Sequence, residues 1–361
     1  MLKKISLLVS LGAVVILTGA SCINFGGSAA QGPMGMFRSA DKGENWAQIN
    51  AYPTAKGVAD MSGLKVFRVH NDPNDENAYY LTTRGQGLYY TYDNGDSWQA
   101  AKGMEGKFIY GLAVDTKDKC TVYASDGPNI YKTTDCLRTW KLIYTEQRTG
   151  QRLVSLAVDY GNSSLVYGAE TGGDIILSSD SGRSWRVIKR FETELQQLTA
   201  DPMKPGRIYV AAYRDGLYRS DDGGESWVDL NASLANFTDS KTFYRLILNP
   251  GQKDSLFWIS KYGILRSDDA GVTFTDLKLL TPPGSVNIYA FAINPKNQKE
   301  MYYTGTILGE KETHVRSTFY KSTDGGVNWV TKKLPSNTIP MVMWVHPINT
   351  SQLFMGFAVL N

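Results

Sequence analysis

The sequence predicts an all-β protein, a single seven-bladed β-propeller with four antiparallel strands in each blade. The first observation is a motif of about ten residues, rich in aspartate and glycine, that recurs seven times. Its terminal aromatic residues lie 42 to 55 residues apart, which is the period of a four-stranded blade. The second is composition, because 35 glycines and 21 tyrosines in 361 residues fit many tight turns and aromatic strands.

The N-terminal segment has the pattern of an export signal. Lys3 and Lys4 precede a short apolar run, which ends in "TGASC". The run is shorter than the roughly 20 residues that span a membrane. We therefore predict a signal peptide at residues 1–21, a flexible tether at 22–34, and a location in the cell envelope. The segment resembles a lipoprotein signal, which implies Cys22 as the lipid-bearing residue. Gly19 replaces the usual leucine, so ordinary cleavage and a retained anchor stay as alternatives.

The propeller itself is predicted to occupy residues 35–361, with the two termini sharing one blade. Each unit contains four short runs rich in β-branched and aromatic residues, as in residues 109–144. Asp or Asn, often before Pro, ends most first strands. The chain ends in two strands without the motif and begins with a motif hairpin that lacks two strands. Pairing these ends closes the ring and removes exposed sheet edges.

The repeated motif is predicted to be structural. In "YRSDDGGESW" (218–227) the aspartate can accept turn N–H groups, the glycine supplies an unusual dihedral angle, and the aromatic residue packs below. Seven equivalent copies are not needed for catalysis, so we expect neither a metal site nor a catalytic site there. The seven motif aspartates are Asp41, Asp93, Asp135, Asp180, Asp222, Asp269 and Asp324.

These motifs resemble the Asp-box, or BNR, repeat, S-x-D-x-G-x-[ST]-W. The fuller unit is most similar to the repeats of sortilin and of xyloglucanases, with a distant similarity to the photosystem II stability/assembly factor. Two boxes depart from the pattern, because Leu137 replaces the glycine in one and Phe274 replaces the tryptophan in another. The resemblance implies the propeller fold but not one function, since the box occurs in proteins of unrelated activity.

Strand parity sorts the loops onto two faces of the ring. The box face carries the seven boxes and the Asp/Asn-Pro turns. The variable face carries the second-to-third turns and the blade connections, including 51–65, 230–242, 277–287 and 304–317. Function usually lies on variable loops, and this face has the more basic side chains. We predict a protein or carbohydrate partner there, with candidate contact residues Arg84, Tyr110, Arg214, Asp215, Tyr244, Lys261, Tyr289 and Arg316. Ordinary solvated side chains are the alternative.

The two remaining cysteines are predicted to form a disulfide. Cys120 precedes a second strand and Cys136 follows a third strand, so both lie at the box face on adjacent strands. Disulfides persist in exported proteins. The bond would close the blade whose box lacks glycine, and a loop of this length is worth about 3 kcal/mol. Two separate thiols are the alternative.

For function, we predict a non-catalytic binding or scaffold module, tethered to the membrane and monomeric. Xyloglucanases of the resembling family enclose their substrate between two propellers, and this chain has the length of one. The alternative is a glycoside hydrolase that uses carboxylates of the variable face. Its candidates, by loop position only, are Asp126, Glu170, Asp174 and Asp215.

The remaining predictions concern what the protein does not bind. No cofactor motif is present, and the three histidines, His70, His314 and His346, are scattered among different blades, so we predict no metal site. A formal charge of +3 argues against a dedicated nucleic-acid-binding surface.

Overall fold

The computed structural model describes residues 32–360 and confirms the predicted seven-bladed propeller of four-stranded antiparallel blades. The predicted signal peptide, Cys22 and most of the tether lie outside the described residues. Across 32–360, no helix has both the length and the apolar character needed to cross a membrane.

The four strands of each blade are given from the inner strand to the outer strand. Blades 1 to 3 consist of Val66–Asp72, Asp75–Thr83, Leu88–Thr91 and Gln99–Ala100; Gly111–Val114, Val122–Ser125, Asn129–Thr133 and Lys141–Thr145; and Leu153–Val158, Val166–Glu170, Asp174–Ser178 and Arg186–Arg190. Blades 4 to 6 consist of Leu195–Ala200, Ile208–Ala212, Gly216–Ser220 and Val228–Asp229; Phe243–Leu248, Leu256–Ser260, Ile264–Ser267 and Thr275–Asp276; and Phe291–Asn294, Asn297–Leu308, His314–Ser322 and Val330–Lys332. Blade 7 consists of Ile339–Val345, Leu353–Ala358, Gly35–Ser39 and Ala47–Gln48.

Blade 7 joins the two ends of the described chain, as the sequence predicted. The N-terminal strand Gly35–Ser39 pairs along its whole length with Leu353–Ala358, with Phe37 opposite Met355. Second strands are buried throughout in most blades, whereas outer strands are largely exposed. The apolar core therefore lies between neighbouring blades rather than in one central cluster.

Three segments of the variable face are ordered elements. Ala51–Thr54 and Gly57–Asp60 form a separate hairpin, and Asn231–Leu234 is a single helical turn. The strands of the long hairpin of blade 6 continue to a short 3-10 turn at Glu310–Glu312. Our placement of Arg316 in a turn was therefore wrong, because the β-branched run around it continues the ladder and pairs Arg316 with Ile307.

In each box the aspartate and the serine or threonine two positions before it are hydrogen-bonded within their own turn. In the box of blade 4, Ser220 Oγ donates to Asp222 Oδ1 over 2.7 Å, and the N–H groups of Gly224 and Ser226 donate to Ser220 Oγ and Asp222 Oδ1. Hydrogen bonds from the residue four positions later lower the pKa to about 2 for Asp41, Asp135, Asp180, Asp222 and Asp324. The pKa values of Asp93 and Asp269 are also lowered, against the effect of burial.

The box glycines serve a second purpose at the contact between blades. A Cβ on Gly95 would lie 2.7 Å from Ile49, and one on Gly271 would lie 2.8 Å from Leu230. In both cases the neighbour is the third residue after the box aromatic of the preceding blade. The box of blade 2 reverses this arrangement.

In blade 2, Leu137 occupies the glycine position with a left-handed φ of 65°, and its side chain is buried. The corresponding residue of blade 1 is Ala101, which belongs to the same apolar cluster. In blade 2 the box position therefore carries the large residue, Leu137, and its neighbour in blade 1 is the small residue, Ala101. At Gly95 and Gly271 the box position is small and its neighbour is large. In the same box, the Cα atoms of Cys120 and Cys136 lie 3.9 Å apart and the two residues form a disulfide.

Candidate functional site

The mouth of the central channel on the variable face is bordered by aromatic side chains. Tyr110 stacks on Phe108 at 4.0 Å between ring centroids, and Phe108 contacts Phe67 edge-on at 5.1 Å. On the opposite side of the ring, Tyr244 and Tyr289 lie 5.7 Å apart. The predicted residues Tyr110, Tyr244 and Tyr289 therefore lie in two aromatic groups near the first residues of inner strands.

The arginine predicted at this mouth is held by aromatic and backbone groups. The Arg84 guanidinium carbon lies 5.6 Å from the Phe67 ring centre, and Nη1 is 3.5 Å from the Leu360 carbonyl oxygen. Burial lowers the pKa of Arg84. Burial also raises the pKa of Tyr289 to about 12, so this hydroxyl stays protonated.

A cluster of carboxylates between blades 2 and 3 surrounds Arg148. The guanidinium contacts Glu146 at 2.9 Å, Asp174 at 2.9 Å, and Glu170. Burial and the neighbouring Glu146 raise the pKa of Glu170 to about 8, although Arg148 opposes them. Burial also acts to raise the pKa of Glu146, but hydrogen bonds from Arg148 lower it to about 2.

This split in pKa resembles an acid and base pair, but access argues against catalysis there. The Glu170 side chain has no exposed surface, and Arg148 covers the cluster. A glycosidic oxygen could reach Glu170 only after Arg148 left all three carboxylates. The cluster is therefore best understood as a structural ion network.

Three other predicted residues are held by local partners. Asp126 accepts hydrogen bonds from Lys107 Nζ at 2.6 Å and from the Tyr131 hydroxyl at 3.0 Å. Lys261 lies 3.6 Å from Asp239 in an exposed ion pair. Arg316 lies on the long hairpin of blade 6. These contacts do not bring the three residues into one site.

A cleft of about 670 Å³ lies between the connection that leaves blade 3 and the outer half of blade 4. Its aromatic residues are Phe191, Tyr213, Tyr218 and Trp227. Phe191 contacts Tyr218 at 4.8 Å and Trp227 at 5.6 Å between ring centroids, while Tyr213 is exposed. A partly open cleft with several aromatic faces is a suitable surface for sugar rings.

Two of the predicted residues, Arg214 and Asp215, lie together in this cleft. Arg214 has a left-handed φ of 54°, and the following Gly216 has a φ of 117°. A non-glycine residue in this region is strained, and such strain is often found at functional sites. The turn presents Asp215 to the Tyr218 hydroxyl, which donates to Asp215 Oδ2 over 2.7 Å.

The charges of the cleft balance. The cationic residues that line it are Lys189, Arg190 and Arg214, and the anionic residues are Glu192, Asp215 and Asp229. Burial and the charges of Asp215 and Asp229 raise the pKa of Tyr218, so its hydroxyl remains a hydrogen-bond donor between two carboxylates. Sequence reasoning assigned Trp227 only to the box and missed Phe191 and Asp229 as cleft residues, because Phe191 lies in the connection after blade 3 and Asp229 follows the box of blade 4.

The histidines do not assemble a metal site. His70 lines the central channel, His314 lies 3.0 Å from the Ser317 hydroxyl, and His346 accepts backbone N–H groups at the box face. Within residues 32–360, no group of three or more His, Cys, Asp or Glu side chains is arranged to hold a metal ion.

Comparison with known proteins confirms the resemblances read from the boxes. A family model described as the DUF6242 β-propeller domain matches residues 111–343, and one described as sortilin, neurotensin receptor 3, matches residues 35–168. A xyloglucanase of Paenibacillus sp. is 28% identical over 239 residues, which cover 53% of this chain and 23% of that enzyme. The oligoxyloglucan-reducing end-specific xyloglucanase of Emericella nidulans is 22% identical over 55% of this chain and 24% of its own length. The chain thus spans about a quarter of these relatives.

Solved structures share the fold at low sequence identity. The GH74 enzyme of Niastella koreensis superposes with a TM-score of 0.64 at 16% identity, covering 89% of this chain and 53% of the enzyme. The protein described as YCF48 bound to D1 peptide gives 0.59 at 17% identity, covering 82% of this chain and 94% of that protein.

These comparisons correct the predicted function. The prediction of a non-catalytic binding or scaffold module was wrong, since the sequence relatives are xyloglucanases and GH74 enzymes are among the structural neighbours. The prediction assumed that hydrolysis needs a second propeller to enclose the substrate. The cleft beside blade 4 combines carboxylates with aromatic faces within one propeller.

Proposed function

The chain belongs to the DUF6242 β-propeller family, and from that premise we propose that it is a glycoside hydrolase acting on a xyloglucan-type β-glucan. The observation that carries the proposal is the cleft beside blade 4, where Asp215 and Asp229 flank Tyr218 among exposed aromatic faces. The sequence relatives named as xyloglucanases support the substrate class.

Asp215 is the best candidate for a catalytic residue among the four carboxylates predicted from loop position. Glu170 and Asp174 are almost completely buried beneath Arg148, and Asp126 is neutralised by Lys107. Asp215 is partly exposed and lines the cleft. A carboxylate must touch the scissile bond or its water to act, so exposure inside a cleft decides between them.

The proposed chemistry needs two carboxyl groups with different roles. One donates a proton to the departing sugar oxygen, and the other activates water or attacks the sugar carbon. The Tyr218 hydroxyl donates to Asp215 Oδ2 and holds this carboxylate in the cleft as the candidate base or nucleophile. Asp229, which pairs in register with Tyr218 on the neighbouring strand, is then the proton donor.

The balanced charge of the cleft favours a neutral polysaccharide. Three cationic and three anionic side chains line it, so no single sign attracts a charged polymer. Phe191 and the exposed Tyr213 supply apolar faces for sugar rings. Xyloglucan-type glucans are neutral chains, and this agrees with the xyloglucanases among the sequence relatives.

We also propose an extracytoplasmic location, because a polysaccharide substrate of this size lies outside the cytoplasm. The lysine pair and apolar run of the N-terminal segment support export, and Cys22 supports lipid attachment. Cell fractionation with metabolic lipid labelling tests this. Label that persists after Cys22→Ser would contradict the attachment site.

The hydrolase proposal is tested by incubating the full chain with xyloglucan and measuring new reducing ends. We expect Asp215→Asn to lower kcat/KM by at least about 100-fold, which is the size of a lost acid or base. Tyr213→Ala should raise KM with little change in kcat, because it removes a binding surface. The matched control is Glu225→Gln, an exposed carboxylate of the box face.

The proposal fails if the chain with a correct fold releases no reducing ends from xyloglucan or from related β-glucans. It also fails if Asp215→Asn retains activity equal to that of Glu225→Gln. Circular dichroism of each variant separates loss of activity from loss of fold. Proton NMR of the first product identifies whether the anomeric configuration is inverted or retained.

A further inference from the structure

The central channel contains two arginines without a carboxylate partner. The cavity, of about 460 Å³, is lined by the inner strands of the blades. Arg68 of blade 1 and Arg245 of blade 5 hold equivalent positions, each directly after a bulge residue of its inner strand. Both side chains are therefore directed into the channel, near its variable-face mouth.

Both guanidinium groups reach across the ring to backbone oxygens only. Arg68 lies 3.4 Å from the carbonyl oxygens of Val154 and Gln196, and Arg245 lies 3.1 Å from that of Met341. Among residues 32–360, no carboxylate lies within ion-pair distance of either group. An arginine has five N–H donors, so most donors of both side chains have no acceptor from the described chain.

Two other arginines differ from Arg68 and Arg245 because each has several carboxylate partners. Arg207 contacts Asp201, Asp221 and Asp254, and Arg148 contacts three carboxylates. Arg68 and Arg245 instead repel one another. Burial lowers the pKa of each to about 10, so both remain charged at neutral pH. Enclosed charges without partners are costly unless an ion compensates them.

The surroundings of Arg68 and Arg245 are suited to a small charged ligand rather than to a polymer. His70 also lines the channel, its buried Nε2 has no partner among residues 32–360, and the charges of Arg68 and Arg245 act on it. The remaining wall is largely apolar, with alanine, leucine and valine side chains from several blades. A dianion with oxygen acceptors would satisfy two guanidinium forks at once, because each fork matches a carboxylate or phosphate edge.

We propose that the central channel binds a small oxyanion of the dicarboxylate or phosphate type between Arg68 and Arg245. This site is separate from the cleft beside blade 4, and it does not depend on the proposed hydrolase activity. The two arginines are the binding residues, and His70 borders the same space.

The experiment measures binding and thermal stability of the full chain in malonate, phosphate and sulfate, with sodium chloride at matched ionic strength as the reference. We expect at least one oxyanion to raise Tm above the chloride reference and to bind with one-to-one stoichiometry in calorimetry. Arg68→Met and Arg245→Met should each weaken binding by about tenfold or more, as expected for a lost hydrogen bond to a charged group. A preference for malonate identifies a carboxylate ligand, and a preference for phosphate identifies a phosphoryl ligand.

Arg186→Met is the matched control, because this arginine is exposed on an outer strand and should leave binding unchanged. In the absence of oxyanion, Arg245→Met should have a Tm equal to or above that of the unsubstituted protein, since it removes an unpaired charge. The proposal is overturned if no oxyanion exceeds the chloride reference, or if binding survives in the variant that lacks both arginines. Hydrolysis of xyloglucan by Arg245→Met reports separately on the cleft.

Discussion

The box face and the central channel treat their charged groups in opposite ways. On the box face, each box aspartate accepts hydrogen bonds from its own turn, and the enclosed Arg207 contacts three carboxylates. In the central channel, Arg68 and Arg245 contact backbone oxygens, Arg68 also lies 5.0 Å from the Phe67 ring centre, and neither has a carboxylate within ion-pair distance among residues 32–360. The difference teaches that the serine and aspartate of a box find their partners in their own turn, so the box can be repeated in any blade. The channel instead contains arginine N–H groups that have no acceptor among residues 32–360 and are available to a ligand.

The largest effect should come from removing the paired arginine. Arg207→Met removes the one cation that contacts Asp201, Asp221 and Asp254 together and leaves Lys204 and Arg219 on Asp221, and we expect a loss of about 3–5 kcal/mol in the free energy of unfolding. Urea denaturation followed by tryptophan fluorescence measures it. The same substitution at Arg245 should cost nothing. Equal losses of stability in the two variants would contradict the expected difference between Arg207, which has carboxylate partners, and Arg245, which has none among residues 32–360.

The sequence predicted the repeated half of this comparison better than the individual half. Seven boxes at blade spacing were sufficient for the fold, because the box is a local motif with its own partners. Tyr244 was among the predicted contact residues, yet Arg245, which follows it, was missed, as was Arg68 at the equivalent position of blade 1. The bulge that directs Arg68 and Arg245 into the channel depends on pairing with the second strand, which no local pattern reports.

The cleft shows the same limit. Arg214 and Asp215 were chosen from their turn, and the structure places them in the cleft. Phe191 belongs to a connection after blade 3, and Asp229 to an outer strand of blade 4. Their proximity depends on how blades 3 and 4 pack, so single-blade reasoning could not find them.

The next largest effect concerns the disulfide at the box face, the only disulfide among the described residues. Cys120 and Cys136 are 16 residues apart, and opening a loop of this size is expected to cost about 3 kcal/mol. The variant with serine at both positions should unfold at lower urea concentration than the oxidised protein. Reduction of the unsubstituted protein should produce the same shift. If reduction leaves the midpoint unchanged, the disulfide does not stabilise the fold.

A smaller effect tests the exchange of large and small residues in blade 2. Ala101→Ile should overpack against Leu137 and cost about 1–3 kcal/mol. Combining it with Leu137→Gly recreates the arrangement of Gly95 and Ile49, so the pair should be less harmful than the sum of the two single changes by about 2 kcal/mol. Denaturation of all four proteins completes the cycle. Simple additivity would show that the two positions do not compensate one another.

The last two predictions separate the central channel from the box face by pH. Burial, with Arg68 and Arg245 nearby, lowers the pKa of His70 to about 3, so the folded state keeps it neutral while the unfolded chain binds a proton below about 6.5. Stability should therefore fall as pH decreases from 6.5 toward 3, and His70→Gln should reduce that slope. His346→Gln is the control at the box face, where burial lowers the histidine pKa less.

The box aspartates act in a separate pH window. Five of them have a folded pKa of about 2, below the ordinary value of 3.8, so their contribution is present above pH 4 and is lost as pH falls toward 2. His70→Gln should leave this lower window unchanged, while Asp222→Asn should reduce its slope without altering the upper one. Thermal unfolding between pH 7 and 2 measures both windows. If stability falls in one pH range only, and both variants shift that range equally, His70 and the box aspartates do not titrate independently.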